Sequence, residues 1–233
     1  MPNDSSILKF KVNEIFKSVQ GESSYAGLAC AFVRLSGCNL RCAYCDTVYA
    51  YKYGRYLTAG EIISKVDALD PHIIELTGGE PLMQKGAPQL VDLLVEYLNN
   101  KKKGRRADAI EPRLLIETSG SISIKGLNDQ AVIIMDVKTP SSGSSGMMIF
   151  DNFNHLKSVD EIKFVIGDRA DYEYCKNIIF EYSLAEKCGV LFSAVYGKIR
   201  PEKIIKWMLQ DGVKARFQLQ MHKYIWPADK KGV

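Results

Sequence analysis

Apolar and polar residues are grouped along the chain in blocks that predict strands followed by helices. Strand-like apolar runs occur at 29–37, 72–81, 113–120, 131–138, 161–167 and 189–197. Segments with helical periodicity lie at 57–70, 87–100, near 170–187 and at 201–210. Thr58 and Glu61 have the spacing of a capping box at the start of the first of these helices. The pattern therefore predicts about six βα units.

Alternating βα units predict a parallel sheet with right-handed crossovers, in which polar residues that follow the strands meet at one edge. Six units are fewer than the eight of a complete barrel, so an α/β fold with an open or partial (βα)6 barrel is expected. A flat, doubly wound sheet is the competing fold. The 233 residues contain no internal repeat or long linker, which predicts a single domain over 1–233.

The composition is that of an ordinary globular protein, with 46% hydrophobic and 25% charged residues and a net charge of +4. This charge is too modest to indicate a nucleic-acid-binding protein. The basic run "KKKGRR" at 101–106 is interpreted as a solvated loop that follows a helix. The chain has neither a leader-like N-terminal pattern nor an apolar run of about 18 residues, so we expect a cytoplasmic protein without a membrane partner.

Three of the six cysteines form a C-x3-C-x2-C run just after the first predicted strand, at Cys38, Cys42 and Cys45. In a reducing cytosol such closely spaced cysteines bind metals or act in catalysis more often than they form disulfides. Structural zinc sites usually take their ligands from two separated pairs, whereas three thiolates on one loop can bind three irons of a four-iron cluster. The alternative is a zinc site completed by one of three distant histidines, which are His72, His155 and His222. The other cysteines, Cys30, Cys175 and Cys188, are predicted to be structural.

The cysteine run, with Tyr44 just before its last cysteine, resembles the signature of the radical S-adenosylmethionine superfamily. The resemblance implies a partial (βα)6 barrel and a 4Fe–4S cluster whose unique iron binds S-adenosylmethionine. Because the reactive radical is then carried by the cofactor, no side chain is assigned a catalytic role. The elements "TGGEP", "ETSG" and "DVK" also fit this superfamily. The implied cofactor-binding residues are Tyr44, Cys45, Asp46, Gly79, Glu80, Ser119, Asp136, Val137 and Lys138.

The segments 15–27, 32–47, 76–82, 136–143 and 218–226 together resemble the 7-carboxy-7-deazaguanine synthase family over nearly the whole chain. The resemblance implies a lyase of queuosine biosynthesis that converts 6-carboxy-5,6,7,8-tetrahydropterin into 7-carboxy-7-deazaguanine with loss of ammonia. It also implies Mg²⁺, with Thr47 as its protein ligand, and Arg34 as the partner of the substrate carboxylate. The implied substrate-binding residues are Val19, Gln20, Gly21, Glu22, Arg34, Thr77 and His222.

Several alternatives to these assignments stay open at the level of sequence. Residues 20–22 could form a simple polar turn, and Arg34 could serve only in an ion pair at a strand end. Ser23 stands where the family commonly has glycine, so a positive φ at this position would strain the backbone. The segment "PSSGSSG" at 140–146 is predicted to be a flexible loop, either a lid or a linker.

The implied partners are the small tetrahydropterin substrate, an electron donor such as flavodoxin or ferredoxin, and a second copy of the chain in a homodimer. A glycyl-radical activating enzyme, which modifies a protein partner, shares the cysteine spacing and is the competing function. It would need a surface groove for a peptide. The polar loop at 20–22 and Arg34 instead favour a small carboxylated substrate.

Overall fold

The computed structural model describes residues 8–102 and 111–233, which are built around one nine-stranded sheet. The strands are β1 (Lys9–Val19), β2 (Ala29–Leu35), β3 (Arg55–Thr58), β4 (Ile73–Gly78), β5 (Arg113–Thr118), β6 (Val132–Asp136), β7 (Glu161–Ile166), β8 (Gly189–Ala194) and β9 (Arg216–Phe217). Their order is β3-β1-β2-β4-β5-β6-β7-β8-β9. β1 is antiparallel to β2 and β3, and every other neighbouring pair is parallel. The predicted α/β fold with a parallel sheet is therefore confirmed.

Six helices connect or follow these strands in the described part of the chain. They are α1 (Ala59–Asp67), α2 (Ala87–Lys102), α3 (Arg169–Glu181), α4 (Leu184–Lys187), α5 (Pro201–Asp211) and α6 (His222–Ile225). The predicted capping box is present, because the Thr58 hydroxyl accepts from the Glu61 backbone N–H at 3.2 Å and the Glu61 carboxylate accepts from the Thr58 N–H at 2.7 Å. Among the described residues, no helix has the length and apolar character needed to span a membrane.

Three details differ from the pattern predicted from sequence. The helix expected near 170–187 is interrupted between α3 and α4, where Ser183 takes a φ of +52°. The connection from β5 to β6 contains no helix; Gly120 and Gly126 both take positive φ there. The connection from β6 to β7 holds only short 3-10 helices, at Pro140–Ser142, Ser145–Met147 and Phe150–Asn154. Of the basic run at 101–106, Lys101 and Lys102 form the end of α2, and the rest lies outside the described residues.

The two faces of the sheet have different surroundings. On the helix face, side chains such as Val33, Leu76 and Phe164 pack with helices α1 to α5 in the main hydrophobic core. On the other face, which we call the cavity face, a smaller apolar cluster includes Phe32 and Ile134 and contains no helical residue. Helices α1 to α5 therefore cover one face, as in a barrel-type sheet, rather than both faces, as in a doubly wound sheet. The four-residue α6 lies at the cavity instead.

Candidate active site

A cavity of about 420 Å³ lies over the carboxyl ends of the parallel strands on the cavity face. Loops that follow β1, β2, β4, β5, β6 and β8 contribute to it, together with Gln220, α6 and residues 228–233. Most residues singled out from sequence meet there. They are Val19, Gln20, Gly21, Glu22, Arg34, Cys38, Cys42, Tyr44, Cys45, Asp46, Thr47, Thr77, Gly79, Ser119, Asp136, Lys138 and His222.

Two predicted cofactor-binding residues do not line this cavity. Glu80 is fully buried, and its carboxylate accepts hydrogen bonds from the backbone N–H groups of Leu82 at 3.0 Å and Ser119 at 2.7 Å. It therefore ties the turn after β4 to the end of β5. The Val137 side chain is 1% exposed and lies in the main core on the helix face, so only its backbone could reach a bound molecule.

The three cysteines of the C-x3-C-x2-C run lie on the loop after β2, and none of them is in a disulfide. The loop is supported by the segment after β6, since the Ala43 N–H donates to the Ser142 carbonyl at 2.9 Å. The Cys42 thiol also lies 3.5 Å from the Ser144 hydroxyl. Ser142 and Ser144 are buried, so the segment 140–146 is a packed support and not the flexible loop expected from sequence.

The placement of possible metal ligands favours a cluster over a zinc site. In the described ranges, no three His, Cys, Asp or Glu side chains converge closely enough to bind a single metal ion. His155 pairs with Asp151 at 3.4 Å outside the cavity, and His72 precedes β4 at the opposite end of the sheet. His222 lines the cavity with the cysteines but does not converge with them on one point. A four-iron cluster binds each thiolate at a different iron, so it does not need ligands that converge on one point.

Gly79 brings the turn after β4 against the cysteine loop. A Cβ atom at this position would lie 2.6 Å from the Cys38 Cβ and would overlap the Gly37 carbonyl oxygen. The adjacent Glu80 N–H donates to that same carbonyl at 2.9 Å. The backbone of this turn can approach the cysteines only because position 79 carries no side chain.

Lys163 on β7 is the centre of a charged cluster that sequence analysis missed. Its ammonium group lies 2.6 Å from Glu117 Oε1, 2.7 Å from Glu22 Oε2 and 3.6 Å from Asp136 Oδ2. Burial alone would lower the pKa of Lys163, but these carboxylates raise it well above its usual range. The only signal in the sequence was a lysine in the middle of the apolar strand EIKFVI.

The loop after β1 forms one wall of the cavity and is held by α6. The Met221 N–H donates to the Gly21 carbonyl at 2.9 Å, and a Cβ at Gly21 would overlap His222. The Gln20 side chain accepts from the Glu22 N–H at 3.1 Å. Burial lowers the pKa of His222, which favours the neutral imidazole. Ser23 has a φ of +68°, so the position where the family commonly has glycine does require the left-handed conformation.

Arg34 lines the cavity and also forms the ion pair that sequence left open as an alternative. Its Nε donates to Glu14 Oε1 at 2.8 Å, and the same oxygen accepts from the Tyr49 hydroxyl at 2.8 Å. The contact uses one edge of the guanidinium group. A planar guanidinium can bind a second carboxylate through its other edge.

Asp46 and Thr47 follow the last cysteine and form an oxygen-rich corner. The Thr47 hydroxyl donates to Asp46 Oδ1 at 3.0 Å, and Lys223 lies 2.6 Å from Asp46 Oδ2. Burial would raise the pKa of Asp46, but Lys223 lowers it to about 2, so this carboxylate is ionised at neutral pH.

Asp136 has one carboxylate oxygen in an ion pair and one that is buried without a hydrogen-bond partner. Lys138 lies 2.9 Å from Asp136 Oδ2, whereas Oδ1 is unsatisfied. Because a buried acceptor is costly when unpaired, this atom fits a hydrogen-bond donor of a bound molecule, such as a hydroxyl or an ammonium group.

Comparison with known proteins agrees with this geometry. Residues 32–141 match the family model described as the Radical SAM superfamily. A 7-carboxy-7-deazaguanine synthase from Koribacter versatilis is 40% identical over 96% of this chain and 100% of its own length. A protein of the same name from Chlorobaculum tepidum is 39% identical, over 95% of this chain and 96% of its own length.

The fold is also that of a solved structure. The crystal structure of QueE from Escherichia coli superposes with a TM-score of 0.73 at 17% identity and covers 94% of this chain and 96% of its own. At this identity the likeness concerns the fold alone. The family is shown by the relatives that are 39% and 40% identical over nearly the whole chain. This chain therefore is an enzyme of the radical SAM superfamily and belongs to the 7-carboxy-7-deazaguanine synthase family.

Proposed function

We propose that the protein is a 7-carboxy-7-deazaguanine synthase, a carbon–nitrogen lyase of queuosine biosynthesis that acts on 6-carboxy-5,6,7,8-tetrahydropterin and releases ammonia. The observation that carries the proposal is that Arg34, the loop of residues 19–22 and the three cysteines all face one cavity. The names of the relatives support it. The relatives named above are deazaguanine synthases, which favours this function over the glycyl-radical activating alternative.

The residues around the cysteine loop fit a 4Fe–4S cluster and S-adenosylmethionine. Cys38, Cys42 and Cys45 would bind the cluster. The unpaired Asp136 Oδ1 and the Gly79 backbone would contact S-adenosylmethionine. When bound, the pair supplies a 5′-deoxyadenosyl radical for hydrogen abstraction.

The protein itself binds and orients the substrate in this proposal. Arg34 would pair with the substrate carboxylate, for which a planar, two-pronged cation is well suited. Lys163 holds the carboxylates of Glu22 and Glu117 in place at the wall of the cavity. Fixed acceptors of this kind suit the N–H groups of a pterin ring, and holding the ring in one orientation favours abstraction of a single hydrogen.

Thr47 is proposed as the protein ligand of Mg²⁺. A hydroxyl is a hard oxygen donor, and Mg²⁺ commonly takes further oxygens from substrate and water. Thr47→Val removes the oxygen at nearly constant shape, so we expect it to retain the cluster but to lose most of the rate increase that added Mg²⁺ gives. Product formation against Mg²⁺ concentration tests this, and equal stimulation of both proteins would remove Thr47 as the ligand.

An acidic electron carrier, such as flavodoxin or ferredoxin, is proposed to dock beside the cysteine loop. Exposed Arg41 donates to the Cys38 carbonyl at 2.9 Å and stacks on Tyr51 at 4.5 Å. Next to it lie the exposed Lys52 and Tyr53, the latter with 76% of its surface exposed. Neither Arg41 nor Lys52 has a carboxylate partner among the described residues. Exposed cations and tyrosines of this kind suit an acidic protein partner.

Charge reversal tests this docking face. Arg41→Glu combined with Lys52→Glu should slow flavodoxin-driven turnover at least about tenfold and leave dithionite-driven turnover intact, because only the protein donor needs the face. Lys203→Glu combined with Lys206→Glu on α5 is the matched control. Equal effects of the two double variants would contradict the assignment. The cytoplasmic location and the homodimer remain proposals that rest on the family.

Anaerobic reconstitution followed by incubation with the tetrahydropterin, S-adenosylmethionine and dithionite tests the proposed reaction. We expect 7-carboxy-7-deazaguanine and ammonia in equal amounts. A reconstituted protein that cleaves S-adenosylmethionine but forms no deazaguanine in the presence of Mg²⁺ would overturn it.

A further inference from the structure

Glu75 is a buried carboxyl group at the cavity wall to which neither the sequence nor the resemblance assigned a role. It lies on β4 with its side chain on the cavity face, and 2% of its surface is exposed. The Gln20 side-chain amide donates a hydrogen bond to Glu75 Oε2. On its other side the Glu75 carboxyl lies against that of Glu117, which is two residues beyond Leu115, the register partner of Glu75 on the neighbouring strand β5.

Two carboxyl groups in such contact cannot both be ionised, because like charges in a buried site repel strongly. The surroundings decide which of them keeps the proton. Lys163 lies 2.6 Å from Glu117, and Thr77 also donates to Glu117 at 3.3 Å. Glu117 is therefore the anion, and the proton remains on Glu75.

The effects of the surroundings on both groups agree with this assignment. Burial and the neighbouring Glu117 raise the pKa of Glu75 well above its usual range. Burial would also raise the pKa of Glu117, but Lys163 and Arg34 lower it to about 2.

We propose that Glu75 is a positioning residue that works as a neutral acid, donating to Glu117 and accepting from Gln20, so that both side chains have one orientation toward the substrate. The Gln20 amide has two different ends, and its nitrogen is held by Glu75 while its oxygen accepts from the Glu22 N–H at 3.1 Å. The contact with Glu75 thereby holds the loop at residues 19–22 in place through the Gln20 side chain. This inference rests on the proposed function only in naming the pterin as the molecule that meets these groups.

A pH dependence follows from the neutral state. The groups that face Glu75 are Gln20 after β1, Cys30 and Arg34 on β2, Glu117 on β5 and Lys163 on β7. As the pH rises through the raised pKa of Glu75, a second anion forms against Glu117 and the shared hydrogen bond is lost. Substrate binding should therefore weaken at alkaline pH.

Glu75→Gln is the decisive variant, because an amide can donate to Glu117 and accept from Gln20 at every pH. Glu75→Leu removes both contacts. Asp160→Asn is the matched control, since Asp160 is a fully buried carboxylate that accepts from the Ile133 N–H at 2.9 Å, far from the cavity. The probe is 6-carboxypterin, whose fluorescence reports its binding to the anaerobically reconstituted enzymes.

Between neutral and alkaline pH, the unaltered enzyme should lose about tenfold more affinity than Glu75→Gln, and Asp160→Asn should follow the unaltered enzyme. Glu75→Leu should bind weakly at both pH values. The probe's own titration is common to all four proteins, so only differences between them report on Glu75. Identical pH profiles for the unaltered enzyme and Glu75→Gln would overturn the proposal.

Infrared difference spectra of the ligand-free proteins give a readout that does not depend on the pterin. A protonated carboxyl band at neutral pH that is missing in Glu75→Gln and retained in Asp160→Asn supports the neutral acid. Absence of that band from the unaltered enzyme overturns it. A protein that shows the band but binds no pterin would contradict the proposed function and leave the protonation state of Glu75 established.

Discussion

The same strands present two chemically different faces near their carboxyl ends. On the helix face, Val33 and Leu76 are fully buried among other apolar side chains. One residue further along on the cavity face, Arg34 and Thr77 meet Glu117 and other polar groups. Burying charge is costly unless it is paired, so a fold that buries it in the middle of its sheet must compensate within the same cluster. The apolar residues of the helix face mainly stabilise the fold, and the polar residues of the cavity face form the proposed active site.

Two cysteines give the sharpest test of this comparison. Cys42 lines the cavity, whereas Cys175 is fully buried on α3 at the helix face. Cys42→Ala should abolish cluster assembly and cleavage of S-adenosylmethionine, because a ligand is lost. Cys175→Ala should retain both and cost about 1 kcal/mol of stability, the scale of a small core truncation. Iron content and thermal unfolding measure the two effects, and a full cluster in Cys42→Ala would contradict the ligand assignment.

Neighbouring residues on β7 give the next largest effect. Lys163→Met leaves the carboxylates of Glu22 and Glu117 without their ion-pair partner, so we expect a loss of about 3 kcal/mol in unfolding free energy together with loss of pterin binding. Phe164→Leu, on the helix face, should cost about 1 kcal/mol and leave binding intact. Urea unfolding and pterin titration check both. Equal binding by the two variants would mean that the charged cluster is only structural.

The sign of the pH effect in Lys163→Met follows from Glu117. In the unaltered protein the pKa of Glu117 is lowered to about 2, so its stabilising contribution is complete above the unfolded-state pKa and disappears as the pH falls toward 2. Without Lys163 the pKa of Glu117 should rise. The acid-induced loss of stability that comes from Glu117 should then shrink, because protonation no longer breaks an ion pair.

Arg34→Lys changes the cavity face without removing its charge. The ammonium group loses the two-pronged geometry, so binding of the carboxylated substrate should weaken about tenfold while reductive cleavage of S-adenosylmethionine stays unchanged. Substrate binding and the rate of S-adenosylmethionine cleavage are both measured in the same anaerobic assay. If substrate binding is unaffected, the role of Arg34 is limited to its ion pair with Glu14.

The smallest expected effect concerns Ser23, which lies on the loop after β1 at the wall of the cavity. Its φ of +68° is unfavourable for serine by about 1 kcal/mol, and its hydroxyl accepts from the Tyr25 N–H at 3.1 Å. Ser23→Gly removes the strain and the hydrogen bond together, so its stability should change little. Ser23→Ala keeps the strain and loses the bond, and should cost about 1 kcal/mol. If Ser23→Gly is less stable than Ser23→Ala, the backbone at this position is not strained, and if Ser23→Ala is as stable as the unaltered protein, the hydroxyl is unimportant.

The difference between the faces also explains what sequence could predict. Six of the seven parallel strands of the described sheet were found because their helix-face residues form apolar runs, as in IIELTG of β4 and EIKFVI of β7. β3 and β9 were missed because four and two residues are too short for a periodic signal. β1 was missed because its lysines interrupt the apolar pattern. This strand lies next to the edge strand β3.

Site residues that belong to a local sequence motif could be predicted, whereas site residues that come together from different strands could not. The cysteines and the turn at Gly79 have motifs, and they line the cavity. Lys163, Glu75 and Glu117 come from three strands, and only the tertiary fold brings them into contact. The one local signal for each of them was that it is a charged residue inside a largely apolar strand.

The support of the cysteine loop by the segment after β6 has a consequence for dissecting the chain. The contact between Cys42 and Ser144 joins residues 102 positions apart. A fragment that ends before residue 139 would retain every cysteine of the loop and the turn at Gly79 but lack the carbonyl that accepts from Ala43. Such a fragment should bind iron loosely and release it to chelators. The cysteine motif cannot be transplanted as a local peptide, because the part that gives it shape is encoded by a different third of the gene.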